Sequence, residues 1–182
     1  MKKIVSGLVA LPFLLIACST PKTYFTSSIR TAVETSNQPL EKIQFYADRD
    51  IVLRRDLNIG ETTVASGKVQ IENGHYIQLI TLKKNTPGVC VLVKNNIVGI
   101  SFETGPGKFL TFGKMRNARP NDPYRLQISD WVGEAGVIEY DGKKYRIMED
   151  GANAGIKIKS NVLRKDKKDE RKMKGRTVAD ID

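Results

Sequence analysis

The 182-residue chain has few of the residues on which metal, nucleophilic and acid–base chemistry depend: two cysteines, Cys18 and Cys90, and one histidine, His75. A metal site needs several clustered His, Cys or carboxylate ligands, and the sequence contains no such cluster. Nucleophilic catalysis needs a base beside the nucleophile, whereas His75 stands next to a predicted turn. We therefore expect a protein that is not an enzyme and that holds no metal.

The N-terminal apolar run is shorter than the roughly 20 residues that a membrane-spanning helix needs. It extends from Ile4 to Ala17, is interrupted only by Ser6 and Gly7, and follows the positively charged start Met-Lys-Lys. A positive start, a short apolar core and small residues before a cut are typical of a secretory signal peptide. The sequence therefore predicts a cleaved signal over residues 1–17.

The run ends in Leu15-Ile16-Ala17-Cys18, which resembles the lipobox of bacterial lipoproteins. The resemblance implies that Cys18 becomes the first residue of the mature protein and carries a diacylglycerol and an N-acyl chain, with no other cofactor. Several acyl chains give stable membrane attachment, since each buried methylene contributes about 0.8 kcal/mol. Ser19 follows the cysteine, which by the same resemblance implies sorting to the outer membrane, and the non-acidic "STPKT" favours its periplasmic face.

The chain is basic, with 30 Lys and Arg against 20 Asp and Glu. Its net charge of +10 falls to +8 when Lys2 and Lys3 leave with the signal. Basic proteins often bind nucleic acid, but an exported protein does not meet it in the cytoplasm. The remaining partners are anionic phospholipid, lipopolysaccharide, peptidoglycan carboxylates or an acidic protein.

Three turn signals between alternating segments predict an all-β domain over residues 41–162. They are Asn73–Gly74, Asn95–Asn96 and Asp141–Gly142, which suit the left-handed conformation that tight hairpins need. We expect about ten short strands in a single antiparallel sandwich or small barrel. The sequence alone does not distinguish the two architectures.

Two further patterns concern the middle of this domain. "GVCVLV" is apolar at every position, which predicts a central strand buried on both faces with Cys90 as a small hydrophobic residue. The preceding "NTPGV" predicts a type II turn with Pro87 and Gly88 at its centre.

The segments on either side are predicted to lie outside the domain. Residues 18–40 are rich in Ser, Thr and Pro and predict a lipidated, flexible tether. The alternative is that "SSIRTAVETS" forms one or two helical turns and that Tyr24, Phe25 and Ile29 pack on the domain. Residues 163–182 form a charged, basic tail too poor in apolar residues to fold alone. This tail either solubilises the protein or contacts peptidoglycan or another anionic surface.

One loop combines features of a docking surface. It spans residues 114–123, carries Arg116 and Arg119, and precedes Trp131, which is the only tryptophan. Arginine and tryptophan are enriched at binding hot spots, so Arg116, Arg119 and Trp131 are the candidate partner-binding residues. The alternative is a solvated loop beside a tryptophan of the core.

Together these features predict an outer-membrane lipoprotein that acts as a non-catalytic interaction module. Small β-sandwich lipoproteins dock onto secretion machines, including type VI-like ones, and we expect this chain to dock onto a comparable envelope assembly. The alternative is a β-barrel lipoprotein that binds a small molecule, a lipid or a glycan.

Overall fold

A computed structural model describes residues 20–57 and 68–164. In these residues, 13 strands form two antiparallel sheets of seven and six strands, arranged as a sandwich without a closed barrel. The all-β prediction and its sandwich form are confirmed, and the barrel alternative is wrong. The strands outnumber the predicted ten because several contain only two to four residues.

The sheets use strands from distant parts of the chain. The seven-stranded sheet contains, in spatial order, β1 Lys22–Tyr24, β13 Ile156–Lys159, β2 Gln44–Ala47, β6 Pro87–Lys94, β7 Ile97–Ser101, β8 Leu110–Gly113 and β9 Arg125–Leu126. The six-stranded sheet contains β10 Asp130–Val132, β11 Ala135–Tyr140, β12 Lys143–Ile147, β3 Ile51–Leu57, β5 His75–Leu82 and β4 Lys68–Glu72. The helices are α1 Ser27–Thr35 and α2 Glu149–Ala152, with 3-10 turns at Leu40–Lys42 and Ser160–Arg164.

All three predicted hairpins are present. Asn73–Gly74 joins β4 to β5 and Asp141–Gly142 joins β11 to β12, with positive φ at both residues of each turn. Asn95–Asn96 joins β6 to β7, because Lys94 pairs with Ile97. Neither of these two asparagines has a positive φ, so the expected left-handed geometry is wrong there.

The predictions for strand β6 need correction. Pro87 and Gly88 belong to the strand itself, and the residue with positive φ in the preceding turn is Asn85. Cys90 is buried as predicted, but Val89 and Val91 are 48% and 51% exposed. The strand is therefore buried on one face only, because no second layer covers the outer face of the seven-stranded sheet here.

The tether prediction is wrong for residues 22–40, and the packing alternative is correct. β1 pairs with β13, with Thr23 opposite Ile158. Phe25 is fully buried, and Ile29 packs against the core. The folded unit thus begins before the predicted boundary at residue 41, because β1 satisfies the backbone of β13 and Phe25 removes a large apolar surface from water.

Helix α1 is held by an N-terminal cap and by a buried arginine. Thr26 caps its N-terminus, since its hydroxyl oxygen accepts a hydrogen bond from the amide of Ile29 at 3.2 Å. Arg30 is buried, and its guanidinium donates to the backbone oxygen of Lys94 at 2.8 Å and to Glu34 at 2.7 Å. These bonds hold the helix against the end of β6.

Cys18 and residues 165–182 lie outside the described residues, so lipidation and the role of the charged tail stay predictions. In the described part of the chain, no helix has the length and apolar character needed to cross a bilayer.

Candidate functional site

Trp131 lies in a strand at the edge of the six-stranded sheet. Asp130–Val132 form β10, and a turn follows at Gly133. β10 pairs with β11 on one side only, with Trp131 opposite Gly136. Trp131 is 52% exposed and Val132 is 56% exposed. The alternative of a core tryptophan is therefore wrong.

One backbone amide of β10 is hydrogen-bonded to a side chain of the same strand. The amide of Trp131 donates to the carboxylate of Asp130 at 2.8 Å. A charged side chain bonded to edge backbone reduces strand-to-strand association. The half-exposed indole ring is the large apolar group that β10 presents at this edge.

Val132 and Met148 are further exposed apolar residues near this edge, but they lie on the opposite face of the sheet from Trp131, because side chains alternate along a strand. Val132 pairs with Ala135, and Gly136 pairs with Ile147 of β12. Met148 follows Ile147 directly and is 64% exposed. We name the exposed side chain of Trp131 on the β10 edge the Trp131 patch. A half-exposed tryptophan at a sheet edge is a candidate contact residue, because tryptophan is enriched at binding hot spots.

The structure places Arg116 and Arg119 in an exposed loop beside the N-terminal segment. The amide of Ser28 donates to the backbone oxygen of Pro120 at 3.0 Å, and the amide of Arg119 donates to Asp122 at 2.7 Å. Among the described residues, neither guanidinium forms an ion pair or a cation–π contact with Trp131.

A hydrogen bond joins the loop to the chain segment that precedes β10. The side-chain amide of Gln127, four positions before Trp131, donates to the sulfur of Met115 at 4.0 Å. The structure thus brings the loop to the segment that leads into β10, without a direct contact between the arginines and the tryptophan. Whether they form one docking face stays a prediction.

A groove of about 440 Å³ lies between the two sheets near β8 and β11. Its lining includes Leu92, Phe109, Thr111, Gln127, Ile138 and Tyr140. No sequence pattern indicates this groove, because its residues come from four separate segments that only the fold brings together.

A buried tyrosine at this groove is held neutral. The hydroxyl of Tyr140 donates to a carboxylate oxygen of Glu103 at 2.5 Å. Burial raises the pKa of Tyr140, and the hydrogen bond to Glu103 raises it further. Lys108 lies 3.3 Å from the same carboxylate. This arrangement offers hydrogen bonds for binding, and its tyrosine does not ionise at physiological pH.

The chemistry of Cys90 matches that of a structural residue. Burial raises the pKa of its thiol, which donates to the backbone oxygen of Leu92 at 3.4 Å. A reactive cysteine has the opposite shift, towards the thiolate. Within residues 20–57 and 68–164, no group of three or more His, Cys, Asp or Glu is placed to hold a metal ion.

The chain matches no protein-family model, and no curated protein or solved structure matches it either.

Proposed function

We propose that this protein is a lipid-anchored, non-catalytic interaction module of the bacterial envelope. Cys18 attaches it to the outer membrane, and the Trp131 patch docks onto an envelope protein of a larger assembly, such as a secretion machine. The observation that carries this proposal is the half-exposed tryptophan on an edge strand, in a domain whose described phenylalanines are all buried or partly buried.

The anchor is tested by measuring how the protein distributes between the membrane and soluble fractions of the cell. We expect Cys18→Ala to release the protein from the membrane fraction, because the acyl chains supply the attachment. Cys90→Ala is the matched control and is expected to stay membrane-bound, since the Cys90 thiol is buried in the domain. Immunoblots of membrane and soluble fractions make the comparison. Membrane association of Cys18→Ala equal to wild type would contradict the anchor.

The docking patch is tested by crosslinking in intact cells, followed by mass spectrometry of the recovered proteins. Trp131→Ala is expected to lower recovery of the partner by about tenfold or more, as truncation of a hot-spot tryptophan does. Tyr76→Ala, at another exposed aromatic residue of the same sheet, is the control and should leave recovery unchanged. Equal recovery with both variants would remove the patch from the proposal.

The same crosslinking experiment tests whether the loop over residues 114–123 belongs to the docking face. Arg116→Glu combined with Arg119→Glu lowers recovery if the loop belongs to the docking face. If this double variant recovers the partner like wild type while Trp131→Ala does not, the docking face is confined to the Trp131 patch.

The groove favours a second candidate function, which is the binding of a lipid or a glycan. Its volume is within the roughly 300–1,000 Å³ of small-molecule sites. The ligand would lie between sheet edges rather than in the lumen of a barrel. Thermal shifts with lipids and muropeptides test it, because a ligand at about 100 times its Kd adds about 2.7 kcal/mol of stability.

A further inference from the structure

Lysines and tyrosines share the outer face of the seven-stranded sheet at its β1 end. Tyr24 pairs with Lys157, which pairs in turn with Tyr46, so the three side chains form one row across β1, β13 and β2. Lys22 pairs with Lys159 in the adjacent row. We name these five residues the lysine–tyrosine face. The residues that alternate with them along the same strands, such as Phe45 and Ile158, point to the other face and are buried in the core.

The positive charge on this face is not neutralised. The ammonium group of Lys22 lies 4.1 Å from the ring centroid of Tyr46, and that of Lys157 lies 4.5 Å from the ring centroid of Tyr24. Cation–π contacts position an ammonium group without removing its charge. Strands β1, β2, β6 and β13 contain no Asp or Glu, and none of the three lysines forms an ion pair among the described residues.

Exposed apolar residues continue the face along the sheet. Tyr46 pairs with Pro87 of β6, and Gln44 pairs with Val89. Val89 and Val91 are both exposed. Lysine, tyrosine and exposed aliphatic side chains on one surface are the combination that binds at the headgroup level of a membrane.

The position of β1 in the chain brings this face close to the proposed anchor. Lys22 lies four positions after Cys18, and an extended chain over four positions spans at most about 14 Å. The Debye length, over which salt screens a charge, is about 8 Å at physiological salt. An acylated Cys18 would therefore hold Lys22 within about two Debye lengths of the headgroups. A flexible tether over residues 18–40 would have allowed several times this distance.

We propose that the lysine–tyrosine face docks onto anionic phospholipid headgroups of the membrane that carries the anchor. The closeness of face and bilayer rests on the proposed function, whereas the charge and the partly exposed side chains of the face belong to the domain itself. Docking of this face would fix the orientation of the domain on the membrane, in addition to its attachment.

The test uses the chain from residue 18 to residue 182 with Cys18→Ser, so that no acyl chain contributes. Co-sedimentation is measured with vesicles of phosphatidylcholine alone and of phosphatidylcholine mixed with phosphatidylglycerol. We expect binding to the anionic vesicles, little binding to the neutral ones, and release by added salt. Lys157→Glu combined with Lys159→Glu should weaken binding to anionic vesicles by roughly tenfold or more.

Lys143→Glu combined with Lys144→Glu is the matched control, because it makes the same charge change on exposed positions of β12 in the other sheet. It should stay within about threefold of the parent chain, since its lysines lie outside the docking face. Unfolding midpoints verify that both variants are folded, and Lys157→Gln with Lys159→Gln replaces the glutamate variant if that one is not.

Three results would overturn the proposal: no binding to anionic vesicles, equal binding to neutral ones, or equal losses in the two double variants. The last would mean that net charge alone attracts the protein. The vesicle experiment does not depend on acylation, whereas the cell fractionation of Cys18→Ala depends on it entirely. The failure of one proposal is thus distinguishable from the failure of the other.

Discussion

Replacing Phe25 with alanine is expected to lower the free energy of unfolding by about 3–5 kcal/mol, the usual loss for a buried phenylalanine. The side chain is fully buried, and its ring packs edge-on against Phe45 and Tyr124, with centroids 5.2 Å and 5.1 Å away. Its backbone joins β13 to the segment before β9, since its amide donates to the oxygen of Ile156 and its oxygen accepts from the amide of Tyr124. Single domains are stable by only about 5–15 kcal/mol, so this loss is a large fraction of the total.

Urea unfolding of the whole chain, followed by circular dichroism, measures the effect. Tyr24→Ala is the neighbouring control on the outer face, where the lost cation–π contacts contribute about 1 kcal/mol. If Phe25→Ala destabilises the protein no more than Tyr24→Ala does, the N-terminal segment contributes little to the fold and acts as the tether that its composition predicts.

The second large effect is expected at Asp48, which follows β2 at the point where the chain crosses to the other sheet. Its carboxylate is buried, accepts from the amide of Gly155 at 2.8 Å, and lies 3.2 Å from Arg49 and 3.6 Å from Arg125. We expect Asp48→Ala to lower the free energy of unfolding by about 3 kcal/mol, because it leaves a buried amide without an acceptor and two arginines without their carboxylate.

Two controls separate the contributions at this position. Asp48→Asn keeps an acceptor for Gly155 and removes the charge, so its loss should fall between wild type and Asp48→Ala. Asp50→Ala removes an exposed carboxylate that pairs with Lys83 at 2.8 Å, and little change is expected there because solvent screens the pair. Equal unfolding midpoints for Asp48→Ala and Asp50→Ala would show that the buried carboxylate does not hold the sheets together.

Features that depend on a few adjacent residues could be predicted from the sequence. Asn73–Gly74 and Asp141–Gly142 form hairpins because these residues accept positive φ at low cost, whatever surrounds them. Three such signals sufficed to predict an antiparallel all-β domain. The apolar neighbours of Cys90 likewise predicted its burial, which the fold confirms.

Features that depend on coverage by distant residues could not be predicted in this way. For this reason the prediction of a strand buried on both faces is wrong for "GVCVLV", and the prediction of a tether is wrong for the N-terminal segment. Val89 is apolar yet exposed, because the sheet has no covering layer at that point. Phe25 stands in a polar segment yet is buried, because the aromatic rings that receive it come from β2 and from the segment before β9.

The same distinction between local and long-range features applies to the candidate sites. The sequence by itself determined the all-β class, the hairpin positions and the resemblance of Leu15–Cys18 to a lipobox, since each depends on neighbouring residues. Only the tertiary structure decided that Trp131 is exposed at a sheet edge, and that Lys22 and Lys157 share a face with Tyr46. Exposure and shared faces depend on strand order and register, which are set by contacts between residues far apart in the chain.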